Sequence, residues 1–215
     1  MKNLLYKEFK LCAHPTVYIF LFLDAMLLIP SYPYYVAFIY TCLGIFFVFL
    51  NGRIDKDVTY SVLLPIRKSD VVKARCLMIG AIELMQIILA VPFAFLTHVI
   101  NPKGNLAGIE ANAAFFGFVF IMFAVFNIIF IPMFYKTAYK PGVALVWAGS
   151  AVLVYIVIME AAVQVIAPLK TYLDTSAPGM QIKQIPILIA GIIIFFALLF
   201  FSYKKGAANF EKVDL

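Results

Sequence analysis

The sequence predicts an all-α, polytopic membrane protein with six transmembrane helices. A short amphipathic helix precedes the first span, and a second hangs between the second and third. Three observations lead there: composition, the length of the apolar runs, and the placement of basic residues. Of 215 residues, 65% are apolar and only 13% charged, with a mean hydropathy of +1.00. A soluble domain is usually about 45–50% apolar and about 25% charged. An ordinary soluble enzyme is therefore excluded, and so is disorder, which needs low hydrophobicity. The whole chain, 1–215, reads as a single transmembrane domain.

A helix crossing the hydrocarbon core needs about 20 apolar residues. Six stretches qualify: Leu11–Ile29, Tyr34–Leu50, Cys76–Thr97, Ala111–Phe134, Gly142–Ala167 and Ile185–Tyr203. The first two are joined by Pro30-Ser31-Tyr32-Pro33, a link short enough to force a helical hairpin. Pro92, Pro132 and Pro186 are expected near span ends, where a lost hydrogen bond costs least. Tyr32, Tyr34, Tyr135, Tyr139 and Tyr203 fall at span ends, as interfacial belts predict. No cleavable signal peptide is expected, because the first apolar run is too long for an h-region and no small-x-small site precedes the next span.

Lys and Arg set the orientation. With the N-terminus in the cytoplasm, 14 of the 17 basic residues fall inside, and only Lys103, Lys170 and Lys183 outside. Both termini are then cytoplasmic, with 204–215 as a tail. The basic excess, with pI near 9.2, serves this asymmetry, so no nucleic-acid partner is expected. Cys12, Cys42 and Cys76 are odd in number and widely spaced. They indicate neither a disulfide framework nor a zinc site, but packing in or near the bilayer.

Residues 1–11 precede the first span. On a helix, Asn3, Lys7 and Lys10 share one face and Leu5, Phe9 and Cys12 the other. Such a segment lies in the interface with its basic face toward headgroups, either as a simple anchor or as an elbow helix bracing the first span. The loop 51–75 is the longest charged one. Asp57 is placed to cap a short helix running to Leu64, Pro65 to end it, and Ser69 to cap a second helix leading into the third span, with Asp70 in its first turn. The short helix carries Val58, Tyr60, Val62, Leu63 and Leu64 between charged flanks. Exposed apolar groups there form a docking surface, unless they pack under the bundle or dip into headgroups.

The stretch LLPIRKSDVVKARCL, with Leu64-Pro65, Arg67-Lys68, Asp70-Val71-Val72 and Arg75, resembles the segment after the second span of ABC type-2 exporter permeases. The opening MKNLLYKEFKL is similar to their cytoplasmic elbow helix. Six spans in 215 residues match small members, which include permeases of antimicrobial-peptide and lantibiotic immunity exporters and of phenol-soluble modulin exporters. Ile66 departs from the family's commoner Ser or Val. The resemblance implies that Asp57–Ile66 is the coupling helix. Asp57, Val58, Tyr60, Val62, Leu63, Leu64, Pro65 and Arg67 would seat it on an ATP-binding subunit. It also implies two such subunits holding ATP and Mg, with no cofactor in this chain. A second permease chain (itself or a paralogue), the bacterial cytoplasmic membrane and export of a small amphipathic or antimicrobial peptide complete that picture.

The sequence contains no GxxxxGK[S/T] phosphate loop, no GxSxG elbow and no HExxH, and its two His residues, His14 and His98, sit at a membrane entrance and exit. Three acids fall inside spans: Asp24, Glu83 and Glu160. An ionised acid facing lipid at a helix centre costs at least about 2.5–3.5 kcal/mol, so each should face protein or water. Glu83 aligns with Cys76, Gly80, Gln86 and Ala90, and Glu160 with Gly142, Gly149 and Gln164. Small residues let helices approach closely. These acids are either packing residues or an acidic substrate pathway for cationic cargo. The Phe clusters at 46–47, 115–116 and 195–196 are lipid contacts or the lining of a cavity for hydrophobic cargo. The alternative function is the six-span substrate-binding membrane module of a small-molecule importer. Its binding loops would lie outside, whereas here the longest charged loop is inside. An intramembrane hydrolase would need catalytic groups converging at one depth, and these three acids do not.

Overall fold

The computed structural model describes residues 1–101, 104–138 and 140–213. Lys103, counted above on the outer side, and Tyr139, placed in the interfacial belt, lie outside the described residues. The chain is 84% helical, with no strand among the described residues. Helix α1 (Lys2–Lys7) continues into a wide π-helical turn, Glu8–Cys12. Helix α2 (Pro15–Leu21) tightens into 3₁₀ turns over Phe22–Leu28. Then follow α3 (Tyr35–Ile54), α4 (Asp57–Leu63), α5 (Lys68–Ile100), α6 (Ala113–Thr137), α7 (Pro141–Val165), α8 (Ala167–Leu173) and α9 (Pro178–Glu211).

The break between α1 and α2 is written in the residues. Pro15 disfavours helix at the residue before it, and His14 is extended, with φ −71° and ψ 141°. The His14 Nδ1 then accepts from Thr16 N–H and caps α2. The two arms meet at 83°. α1 therefore lies across the end of the bundle while α2 enters it.

Five helices (α3, α5, α6, α7 and α9) are each long and apolar enough to cross a bilayer, and the bent α1–α2 pair makes a sixth if counted as one span. The ends of α2 lie on opposite faces of the bundle. Glu8, before it, meets Arg75 near the start of α5. After it, the carbonyls of Leu27 and Leu28 accept from Thr97 Oγ1 at 2.7 Å and Asn101 Nδ2 at 2.9 Å, at the far end of α5. The chain thus runs through the bundle six times. The 3₁₀ turns help a 14-residue segment to reach, because they rise about 2.0 Å per residue instead of about 1.5 Å.

α5 and α9 are the longest helices, with 33 and 34 residues, or roughly 50 Å each. Both outrun a hydrocarbon core of about 30 Å and project as helix. The segment 204–215, expected as a tail, is therefore a continuation of α9 through Glu211. Pro92, Pro132 and Pro186 lie inside α5, α6 and α9, because each helix runs on past the expected span end. Close to one of these prolines α9 also bonds α6 directly: Asn209 Nδ2 donates to Pro132 O at 2.9 Å.

α6 is the central helix. Of its most apolar 18 residues 78% are buried, against 17% for α7 and for α9. It touches α9 backbone to backbone: a Cβ on Gly117 would stand 2.7 Å from Ile187 O. Of the phenylalanines expected to contact lipid or line a cavity, Phe115, Phe116 and Phe195 are buried, Phe46 and Phe47 half-buried and Phe196 exposed. Phe115 packs edge-on against Phe38 and Tyr34, and Phe49 against Phe130 and Phe134. Tyr34 and Tyr135 are likewise buried inside the bundle, not in a belt. The face carrying α1, α4 and the start of α5 is the basic one, and Lys170 and Lys183 are the described cations on the other. That other face is closed by α8, a helix not foreseen in the sequence. Asn112 Nδ2 donates to Leu173 O and Thr175 O, and Gln184 Nε2 to Tyr172 O and Thr175 O.

Candidate functional site

The basic face is built around four charged side chains from three elements. Arg75, on the second turn of α5, has its Nε against the Glu8 carboxylate and its Nη2 against Asp57 Oδ2. Lys7 Nζ sits 2.5 Å from Asp57 Oδ1, 2.5 Å from Ser61 Oγ and 3.6 Å from Glu8. The ring of Phe49 lies 5.2 Å under the guanidinium. Glu8 is fully buried and Arg75 nearly so, at 2% exposure. Two cations match two anions, so the cluster is neutral as a whole. Burial alone would raise the Asp57 pKa, but Arg75 and Lys7 outweigh it and hold the carboxyl below its ordinary range.

The cluster ties α1, α4 and α5 together. Ser61 Oγ donates back to Asp57 O at 2.7 Å, one turn earlier in α4. Gly52 lies beside the cluster: a Cβ there would stand in ordinary contact, 3.7 Å from Arg75 Nη1 and from the Asp57 carboxylate. The sulfur of Cys12 and the carboxylates of Glu8 and Asp57 lie within 4.8 Å of one another, a spacing a metal could use. Arg75 and Lys7 already occupy those carboxylates, so the arrangement is an ion-pair cluster and not a metal centre.

Several local expectations change here. Asp57 does not cap α4. The cap position is Lys56 in the left-handed conformation, with φ 53°, and Asp57 is drawn away to Arg75 and Lys7. Ser69 does not cap α5, which begins at Lys68 after Arg67 with no side-chain cap. Lys7 turns toward α4, not toward headgroups with Lys10, which contacts Tyr6. Glu8 and Arg75 are the members that the sequence reading did not single out. A signal existed: Glu8 is the lone acid in a basic opening segment, and Arg75 immediately precedes an apolar span. Opposite charges at a membrane boundary call for each other.

The eight residues of the expected docking surface divide by exposure. Val58 is buried at the root of α4 beside Asp57, and Val62 is half-buried. Tyr60, Leu63 and Leu64 stand out at 65%, 76% and 53% exposure. Pro65 and Arg67 are exposed beyond them, and Leu64 turns extended, with ψ 154°, ahead of the proline. A cleft of about 570 Å³ runs between α1 and α4, bounded by Leu11, His14, Tyr60, Leu63 and Leu64.

The three intramembrane acids lie apart from this cluster. Asp24 accepts from Gln86 Nε2, and Glu83 accepts from Asn127 Nδ2 at 2.8 and 3.0 Å. Both acids are fully buried. The stripe Cys76, Gly80, Glu83, Gln86, Ala90 faces the interior along its whole length. Glu160 is partly exposed, and its carboxylate accepts from Ile109 N–H at 3.2 Å. At Gly142 and Gly149, the small residues aligned with it, a Cβ would meet no neighbour within 4 Å, so that face of α7 is open in the single chain.

A bundle traversed six times by its own chain, with a short helix pinned beneath one face by buried ion pairs, defines an all-α, multi-pass membrane protein. The chain belongs to the ABC-2 transporter family: the family described as ABC-2 family transporter protein matches residues 3–210. No curated protein and no solved structure matches the chain. It is therefore the membrane-embedded permease of an ABC transporter, is not itself catalytic, and belongs to a family that implies an ATP-binding partner subunit.

Proposed function

We propose that the chain, as one transmembrane domain, is an exporter permease in which α4 is the coupling helix. One observation carries this reading: an exposed apolar surface of Tyr60, Leu63 and Leu64 rides on a helix rooted by buried ion pairs. Apolar anchors on a rigid base suit a groove in a partner. The other residues expected to dock, Asp57, Val58, Val62, Pro65 and Arg67, would position those anchors. Two ATP-binding subunits would hold ATP and Mg, and ATP would close them on each other. Movement of α4 would pass through Arg75 into α5 and through Glu8 into the elbow, tilting packed spans as units. A second permease chain would cover the open face of α7 that carries Gly142 and Gly149. The basic face would be cytoplasmic, with both termini on that side of a bacterial cytoplasmic membrane.

The cargo would be a small amphipathic or antimicrobial peptide, in keeping with the family resemblance of the sequence. Of Asp24, Glu83 and Glu160, Glu160 would be the one to meet cationic cargo, since it is partly exposed and the other two are fully buried. Leu63→Asp with Leu64→Asp should lower capture of the ATP-binding subunit at least tenfold while the permease still inserts. Unchanged capture refutes the docking role. Glu160→Gln should reduce export of a cationic peptide several-fold without altering ATPase capture, and unchanged export removes Glu160 from the pathway.

A further inference from the structure

Between α5 and α9, at their basic-face ends, lies a cleft of about 410 Å³ open to the side of the bundle. Its walls are apolar: Leu77, Phe196, Leu199 and Phe200. Two lysines, Lys73 and Lys204, stand at its mouth. Lys204 Nζ is held over the rings of Phe200 at 5.5 Å and Tyr203 at 6.0 Å. Lys73 is exposed and makes no hydrogen bond or ion pair among the described residues. Asp70, three residues before it on α5, forms no salt bridge with it, and no acid lines the cleft. On α9 the next side chain is another cation, Lys205. Along α9, from Lys204 to Phe196, the groove descends about two helical turns, roughly 12 Å along the helix.

We propose that this cleft binds an anionic phospholipid of the leaflet on the basic face, with its phosphate between Lys73 and Lys204 and one acyl chain laid against Leu77, Phe196 and Leu199. Charge complementarity selects the occupant. Ammonium groups at headgroup depth with no carboxylate partner among the described residues attract anionic lipid, and the apolar floor below them accepts hydrocarbon, which a soluble phosphate lacks. The other lysines exposed on this face, such as Lys2 and Lys10, are not among the residues that line this cleft. The site is independent of α4 and of what α4 docks.

Native mass spectrometry of the purified full chain, titrated with phosphatidylglycerol or with phosphatidylcholine of the same acyl chains, tests the assignment. The native chain should retain phosphatidylglycerol at least tenfold better than phosphatidylcholine. Lys73→Gln with Lys204→Gln should weaken phosphatidylglycerol retention by about thirtyfold and leave phosphatidylcholine unchanged, while Lys10→Gln changes neither. Leu77→Trp, which fills an exposed groove without touching the lysines, should expel the lipid while glycerol 3-phosphate gains no binding. Equal retention of both lipids, indifference to the double lysine variant, equal binding of glycerol 3-phosphate alone, or a disulfide between Leu77→Cys in one copy and Phe200→Cys in another would each overturn it.

Discussion

At the basic face Glu8 and Asp57 are met by Arg75 and Lys7, whereas inside the bundle Asp24 and Glu83 are met, among the described residues, only by the amides of Gln86 and Asn127. Both settings remove carboxylates from water, yet they use different partners. Near the membrane boundary a long cationic side chain can extend toward headgroups and water when it is not paired. It is available at small cost, and a matched ion pair follows. Deep in a span a cation would be as costly as the anion it neutralises. An amide is uncharged and both donates and accepts, so it serves the acid without adding a second charge. Depth, more than residue type, decides how each acid is held.

The contrast is broken most sharply at Arg75. Arg75→Met leaves the fully buried Glu8 with only the distant Lys7, 3.6 Å away, while Asp57 keeps Lys7 at 2.5 Å; it should destabilise the folded chain by about 3–5 kcal/mol, read as a drop in unfolding midpoint in detergent. Adding Glu8→Gln should restore part of the loss; a double variant no better than the single one would mean that Glu8 and Arg75 do not act as a pair. At Glu83 the expected effects are smaller. Glu83→Leu leaves the Asn127 amide without its acceptor and should cost about 1–3 kcal/mol. Glu83→Gln keeps an acceptor and should cost under about 1 kcal/mol. If Glu83→Gln proved as damaging as Arg75→Met, the division by depth would be wrong.

The gentlest probe is pH. The folded-state pKa of Asp57 lies below its ordinary value of 3.8. Its ionised form therefore stabilises the fold fully above that value, and the contribution disappears as pH falls through the lower folded pKa. The native chain should lose more unfolding midpoint between pH 5 and pH 2 than Asp57→Asn, which has already lost the charge. Parallel curves for the two would show that Asp57 is not held by its cations.

Much of the fold was legible in the sequence, because a run of about 20 apolar residues in a lipid solvent has few alternatives to a helix. The short helix between the second and third spans was legible too, from Pro65 and the apolar residues ahead of it. What the sequence did not disclose depends on contacts distant in the chain. Asp57 looks like a cap until Arg75, 18 residues on, competes for its carboxylate. Lys7 looks like a headgroup anchor until Ser61 and Asp57 reach it from 54 and 50 residues away. Glu160 and its aligned glycines suggested a packed face, whereas α7 leaves Gly142 and Gly149 uncovered. Helical periodicity marks a distinctive stripe but not the neighbour it faces. The ends of α5 and α9 escaped for another reason: hydropathy marks where the apolar run stops, not where the helix does.

The glycine contact between α6 and α9 has a consequence for biogenesis. Gly117 and Gly191 let the two backbones touch, yet α9 is made after α6, α7 and α8. While the chain emerges in order, the most central helix must wait, with its glycine notch vacant, until α9 leaves the ribosome. The architecture is a keystone vault: the central helix is laid early and locked by a piece that arrives later. A chain truncated before Gln184 would lose that lock as well as a span, leaving α6 as an unclosed strut.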